Sequence, residues 1–157
     1  MNVLELRNNL ASLDIPKKVE ELNQAHSEEF LQANRDQMWD GKKPSGSDIT
    51  PSYLNDPYFK TRKAADGYAK WKAALTPNPK RNKYAPNLYI NGYFYSTLLL
   101  NPKEFRIEVK DSFGSKVAKS HSDALGVSTD NLKAIANRGY LKEFYEYFEK
   151  TTGLKVN

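Results

Sequence analysis

Apolar positions recur at helical spacing toward both ends of the chain and fall into short runs or strict alternation near its middle. Val3, Leu6, Leu10 and Leu13 predict an amphipathic helix over Asn2 to Leu13. Asp14 is placed to cap a second helix, and Pro16 is tolerated in its first turn because the missing amide hydrogen would have no partner there. Val19, Leu22, His26, Phe30, Ala33 and Gln37 then share one stripe, with Glu20, Glu21, Glu28 and Glu29 facing elsewhere. This predicts one helix over about Ile15 to Met38, closed by Asp40-Gly41. From Gly41 to Ser52 the composition is that of a loop. Thr61 can cap a helix running to Leu75, with Ala64, Ala65, Tyr68, Trp71, Lys72 and Leu75 three and four residues apart. The prolines of TPNPKRNKYAPN then predict an extended connection over the surface.

Leu88 to Ile90 is a short apolar run followed by the turn signal Asn91-Gly92. Tyr93 to Leu100 fits either a strand or a short helix. After a turn at Asn101 to Glu104, Phe105, Ile107 and Val109 alternate with Arg106, Glu108 and Lys110. That alternation predicts a half-buried strand, paired with the Leu98 to Leu100 end of the preceding segment. Further on, Val117, Ala118, His121 and Leu125 lie on one side of a helix over Ser115 to Leu125 that Gly126 ends, and Ser128 caps another containing Leu132, Ile135 and Ala136. Gly139 divides this from a last helix, striped with Leu141, Phe144, Tyr145 and Phe148 and stopped by Gly153. The predicted fold class is α+β, a single domain over 1–157 with helices at both ends packed on a small antiparallel sheet. It divides into an N-terminal helical segment (1–40), an extended basic loop or arm (41–85), and a small sheet with C-terminal helices (86–157).

Composition changes this picture at one place. The chain has 157 residues, 39% hydrophobic and 27% charged, enough to bury a core. No apolar run approaches the ~20 residues that a membrane helix needs, and no membrane partner is expected. The N-terminus lacks the pattern of a secretory leader, so the protein is expected to stay where it is made. With no cysteine there are no disulfides or thiolate sites. The net charge of +5 is uneven. Between Gly41 and Ala85 stand ten basic residues and only Asp48, Asp56 and Asp66, so the positive field belongs to the middle of the chain.

Candidate chemistry adds little. His26 and His121 both lie on helical stripes beside apolar neighbours, and no metal-ligand spacing surrounds them, so no metal is assigned. There is no nucleophile motif, and GKKPSG lacks the ending of a phosphate loop. Glu20-Glu21 and Glu28-Glu29 fit a solvated helix face. No cofactor is expected, and the chain is read as something other than an enzyme. What remains is the basic segment with its interleaved aromatic rings. Lys42, Lys43, Tyr53, Tyr58, Phe59, Arg62, Lys63, Trp71, Lys80, Arg81, Lys83 and Tyr84 are the candidate interface residues, since aromatic and arginine side chains concentrate at protein interfaces. Lys42, Lys43, Lys80, Arg81 and Lys83 are candidate nucleic-acid contacts, where cations would meet phosphate.

The order of these segments, from WDGKKPSGSDITPSY through PNLYINGYFYSTLLL and FRIEVKDS to a final helix ending KTTGL, resembles small tailed-phage virion proteins. The resemblance is to the virion-morphogenesis and tail-completion (head-tail connector) type, in versions found in phages of Bacteroides-like bacteria. The matching positions are Gly46 with Asp48 and Tyr53; Leu88 with Asn91, Gly92 and Phe94; and Thr152, Gly153 and Leu154. The chain departs from the pattern at Asn91, where threonine is more common, and in a long insert from Pro57 to Ala85. The resemblance implies an α+β domain in a ring or collar at the neck, or a tail-end component. It would be located in the virion, and in the host cytoplasm during assembly. It would self-associate, bind portal, neck or tail proteins, and carry no catalytic residues. The alternative function is a DNA-binding accessory protein that uses the basic, aromatic loop on phage DNA.

Overall fold

The computed structural model describes all residues, 1–157, as eight α-helices, two strands and two short irregular helical turns. The N-terminal helices are α1 (Val3–Ala11), α2 (Ile15–Ala25) and α3 (Ser27–Trp39). The middle holds α4 (Arg62–Leu75), a single turn α5 (Tyr93–Ser96), and strands β1 (Leu98–Asn101) and β2 (Arg106–Val109). After them come α6 (Ser112–Ser120), α7 (Thr129–Ile135) and α8 (Leu141–Thr152). The fold is α+β, helical at both ends around a two-stranded antiparallel sheet.

Most of the caps fall where the side chains predict them. Asp14 accepts from the Lys17 amide, Thr61 from that of Ala64 and Ser128 from that of Asn131. Gly41 and Gly153 end their helices in the left-handed conformation, at φ 68° and 74°. Strand pairing also follows the alternation: Leu98 lies opposite Val109 and Leu100 opposite Ile107. A hairpin this small is marginal by itself. It is held by the main core, where Leu98, Leu100 and Ile107 pack with Phe30, Leu31 and Met38 of α3, and with Ile49, Phe94 and Ile135.

Several expectations need correction, and one left open is resolved. The helix from Ile15 to Met38 is two helices, broken at His26. His26 leaves helical geometry while its ring binds Glu29 at 2.8 Å and Glu143 of α8 at 3.0 Å, so the stripe of apolar residues runs straight across the break. Tyr93 to Leu100 is a helical turn followed by a strand, because Thr97 ends the turn with its hydroxyl on the Phe94 carbonyl. Phe105 lies outside β2 with φ 48°, and its ring meets Phe30 edge-on. The stretch 76–87 does not simply cross the surface: Thr76, Arg81, Ala85 and Asn87 are buried.

That last stretch helps to make the segment 41–85 a folded lobe instead of an extended arm. Tyr53, Ala65 and Ala69 form a second small core with Phe59, Tyr68 and Tyr84 against it, and the Tyr53 amide donates to the Tyr84 carbonyl at 2.9 Å. The rings of Tyr53, Phe59 and Tyr68 meet edge-on or tilted, geometry worth about 0.5–1.5 kcal/mol per pair beyond burial. Ile49 anchors the start of the lobe in the main core. Asp123 accepts from the Thr50 hydroxyl at 2.7 Å and from Lys43 at 3.0 Å, tying it to the C-terminal third. Gly41 allows the two parts to close, since a Cβ there would stand 2.8 Å from the Arg81 side chain.

A candidate binding cleft between lobe and body

Where the aromatic lobe meets the body, a cleft of about 720 Å³ opens, within the size range of small-molecule sites. One wall is built by Tyr53, Tyr58, Phe59 and Tyr68; the other by Leu88 to Asn91, Phe94 and the α6 residues Phe113, Lys116 and Val117, with His121 just beyond the end of α6. Local sequence explains the second wall. Asp111 caps α6 by accepting from the Gly114 amide at 2.7 Å, which starts the helix at Ser112, three residues before the predicted Ser115, and it ends at Ser120, short of the predicted Leu125. Leu88 stands at φ 56°, an uncommon conformation for a residue other than glycine. The Asn87 side chain accepts from the Tyr89 amide at 3.2 Å across that bend.

Lys72 contributes to the cleft lining from α4. It is 2% exposed, and its ammonium has no hydrogen-bond partner. Burial, with the nearby Arg81 charge second, lowers its pKa from 10.5 to about 8. Arg81 is buried as well; its Nη2 donates to the carbonyl and hydroxyl of Thr76, each at 3.0 Å, while Nη1 is unpartnered. The Tyr53 hydroxyl is a third buried polar group without a partner. Burial is also the main reason its pKa is raised well above that of an ordinary phenol. Around these groups the bonding is complete: Asn87 donates to the Thr76 hydroxyl at 3.2 Å, and Tyr95 donates to the Asn87 carbonyl at 2.6 Å. No carboxylate bonds to either cation.

The candidate interface residues divide three ways. Tyr58 and Phe59 line the cleft, as does Tyr53, although it is only 5% exposed. Arg62, Lys63, Trp71, Lys80 and Lys83 are exposed on the lobe, with Arg62 4.0 Å from Asp66 and Lys83 over the Tyr84 ring. Tyr84 is half-buried, its hydroxyl on Asp66. Of the five candidate nucleic-acid contacts, Lys42 pairs with Asp48 at 2.6 Å and Lys43 with Asp123, while Arg81 points inward. Only Lys80 and Lys83 are both exposed and without a carboxylate. A search for chemistry among exposed charges misses Lys72, and it takes Arg81 as an outward contact where the side chain is buried. The available signal was Lys72 falling on the apolar stripe of α4, where a long cation is out of place.

No group of three or more histidine or acidic side chains is placed to hold a metal ion. His26 ties α3 to α8, and His121 meets the Thr50 carbonyl at 3.1 Å. No helix is long and apolar enough to cross a membrane. No protein-family model, curated protein or solved structure matches the chain. Fold and geometry define a small α+β domain with a cationic, aromatic cleft.

Proposed function

We propose that the chain is a structural protein of a tailed-phage particle, self-associating in a ring and contacting portal, neck or tail proteins. The resemblance of its segments to head-tail connector and tail-completion proteins suggests the role. The observation that carries the self-association is the state of α1. None of its residues is buried, and Val3, Leu4 and Leu10 are 86%, 57% and 43% exposed, with Met1 and Ile15 open beside them. An amphipathic helix whose apolar side faces water gains free energy when a neighbour covers it. Repeated around an axis, a second copy can supply that cover in a heterologous contact that closes into a ring.

Light scattering after size exclusion, with electron microscopy of the same fractions, tests this. Wild-type protein should form a closed oligomer, and Val3→Glu with Leu4→Glu should reduce it to monomers of unchanged helical content. A wild-type monomer that joins no virion protein in co-assembly and labels no particle would overturn the reading.

A further inference from the structure

The cleft brings together two features that point to a ligand. Its walls are aromatic and apolar, and several of its rim residues face water: Tyr58 is 78% exposed, Ile90 60% and Phe113 52%. Its interior edge holds Lys72 and Tyr53, both more than nine-tenths buried and both with an unpartnered polar head. Native proteins seldom leave buried donors unmatched, and an unpaired buried charge is among the costliest arrangements a fold can hold. Here Arg81 stands close enough to add a second positive charge, again with a free donor. The remaining charged or titratable cleft residues are Asp56, Tyr58, Tyr68 and Tyr89, with Lys116 on α6 and His121 just beyond its end. Asp56 is the one carboxylate, and the balance is positive.

We propose that this cleft is a binding site for an organic anion with an aromatic or apolar body. The negative group is drawn to the Lys72 ammonium and the Tyr53 hydroxyl, and the body lies between the Tyr58–Phe59 wall and the Phe113–Ile90 wall. A neutral apolar ligand would leave the ammonium unmatched. A small inorganic anion would leave the aromatic walls wet. The ligand class is therefore fixed by both features together, and it does not depend on how the chain assembles. Two sources supply such a group: a free aromatic acid, or the terminal carboxylate of a peptide ending in an aromatic residue.

The test uses the full-length chain and two fluorescent probes of similar shape, anilinonaphthalene sulfonate, which is anionic, and phenylnaphthylamine, which is neutral. Lys72→Met should weaken the anionic probe about tenfold or more, the loss expected for a charged hydrogen bond, and leave the neutral probe nearly unchanged. Phe113→Ala, on the exposed rim, should weaken both probes without touching the buried charge. Equal effects of Lys72→Met on the two probes, or no effect of Phe113→Ala on either, would overturn the proposal. Displacement of the anionic probe then separates the sources. Naphthaleneacetate acting alone assigns a free acid, and Gly-Gly-Phe acting with a free but not an amidated end assigns a chain terminus. Displacement by neither also overturns the site.

Discussion

The body and the aromatic lobe solve the same packing problem with different materials. In the body, Met38, Ile49, Leu98 and Ile135 are at most 2% exposed and make an apolar centre. Several of its buried polar residues are used as ties: Gln37 reaches the Gly126 carbonyl, the Ser128 amide and the Asn131 side chain, and Asn34 donates to the Ala124 carbonyl although its own Oδ1 has no partner. In the lobe, alanine and tyrosine replace the large aliphatics, and Lys72 and Arg81 lie among them with donors unspent. The body has the larger apolar core, and the lobe holds buried cations with unpartnered donors beside the cleft.

The comparison can be broken most forcefully from the body side. Leu98→Ala removes a 2% exposed side chain at the centre of the main core, and it should cost about 2–5 kcal/mol. Equilibrium urea unfolding followed by circular dichroism measures it; a loss below about 1 kcal/mol would mean that the body is no better packed than the lobe.

A smaller effect is expected at the joint between helices. Burial alone would lower the His26 pKa, but the hydrogen bonds and charges of Glu29 and Glu143 outweigh it and hold the value above 6.5. The folded state therefore binds this proton more tightly than the unfolded state does. Its stabilisation is complete below about pH 6.5 and is lost as pH rises through the raised folded value. His26→Gln should cost about 1–3 kcal/mol in mildly acidic solution, and the difference from wild type should shrink toward alkaline pH. A gap independent of pH would separate His26 from its carboxylates. The smallest effect belongs to the lobe: Thr61→Ala removes the α4 cap and should cost about 1 kcal/mol. Hydrogen exchange should show that loss in α4 amides while the body amides stay protected.

What the sequence made legible is mostly local. Asp14, Thr61 and Ser128 announced their caps, Gly41 and Gly153 their helix ends, and the alternation through Ile107 and Val109 announced a strand paired with Leu98 to Leu100. Each of these depends on neighbours within a few residues. The break at His26 was hidden in an unbroken apolar stripe, and one of the ring's two carboxylate partners, Glu143, lies 117 positions away. The lobe was hidden for a related reason. Counting charges treats every lysine and arginine as solvated, whereas Arg81 folds inward onto Thr76, and Lys72 is buried on α4. Proline and lysine density described the surface of that region well and its interior poorly.

Unfolding of Lys72→Met tests most directly whether the lobe retains a buried cation against its own stability. A folded pKa of about 8 against 10.5 when unfolded means that the unfolded chain binds more protons between those values, so wild-type stability should climb with pH across that interval. The phenols of Tyr53 and Tyr95 are raised, chiefly by burial, and act in the opposite sense only as pH passes the ordinary phenol value of 10. In urea at neutral pH the variant should be about 3 kcal/mol more stable than wild type, following about 1.4 kcal/mol per pKa unit. That advantage should fall steadily between pH 8 and pH 10. A variant less stable than wild type at neutral pH, or an advantage that does not change with pH, would contradict the account.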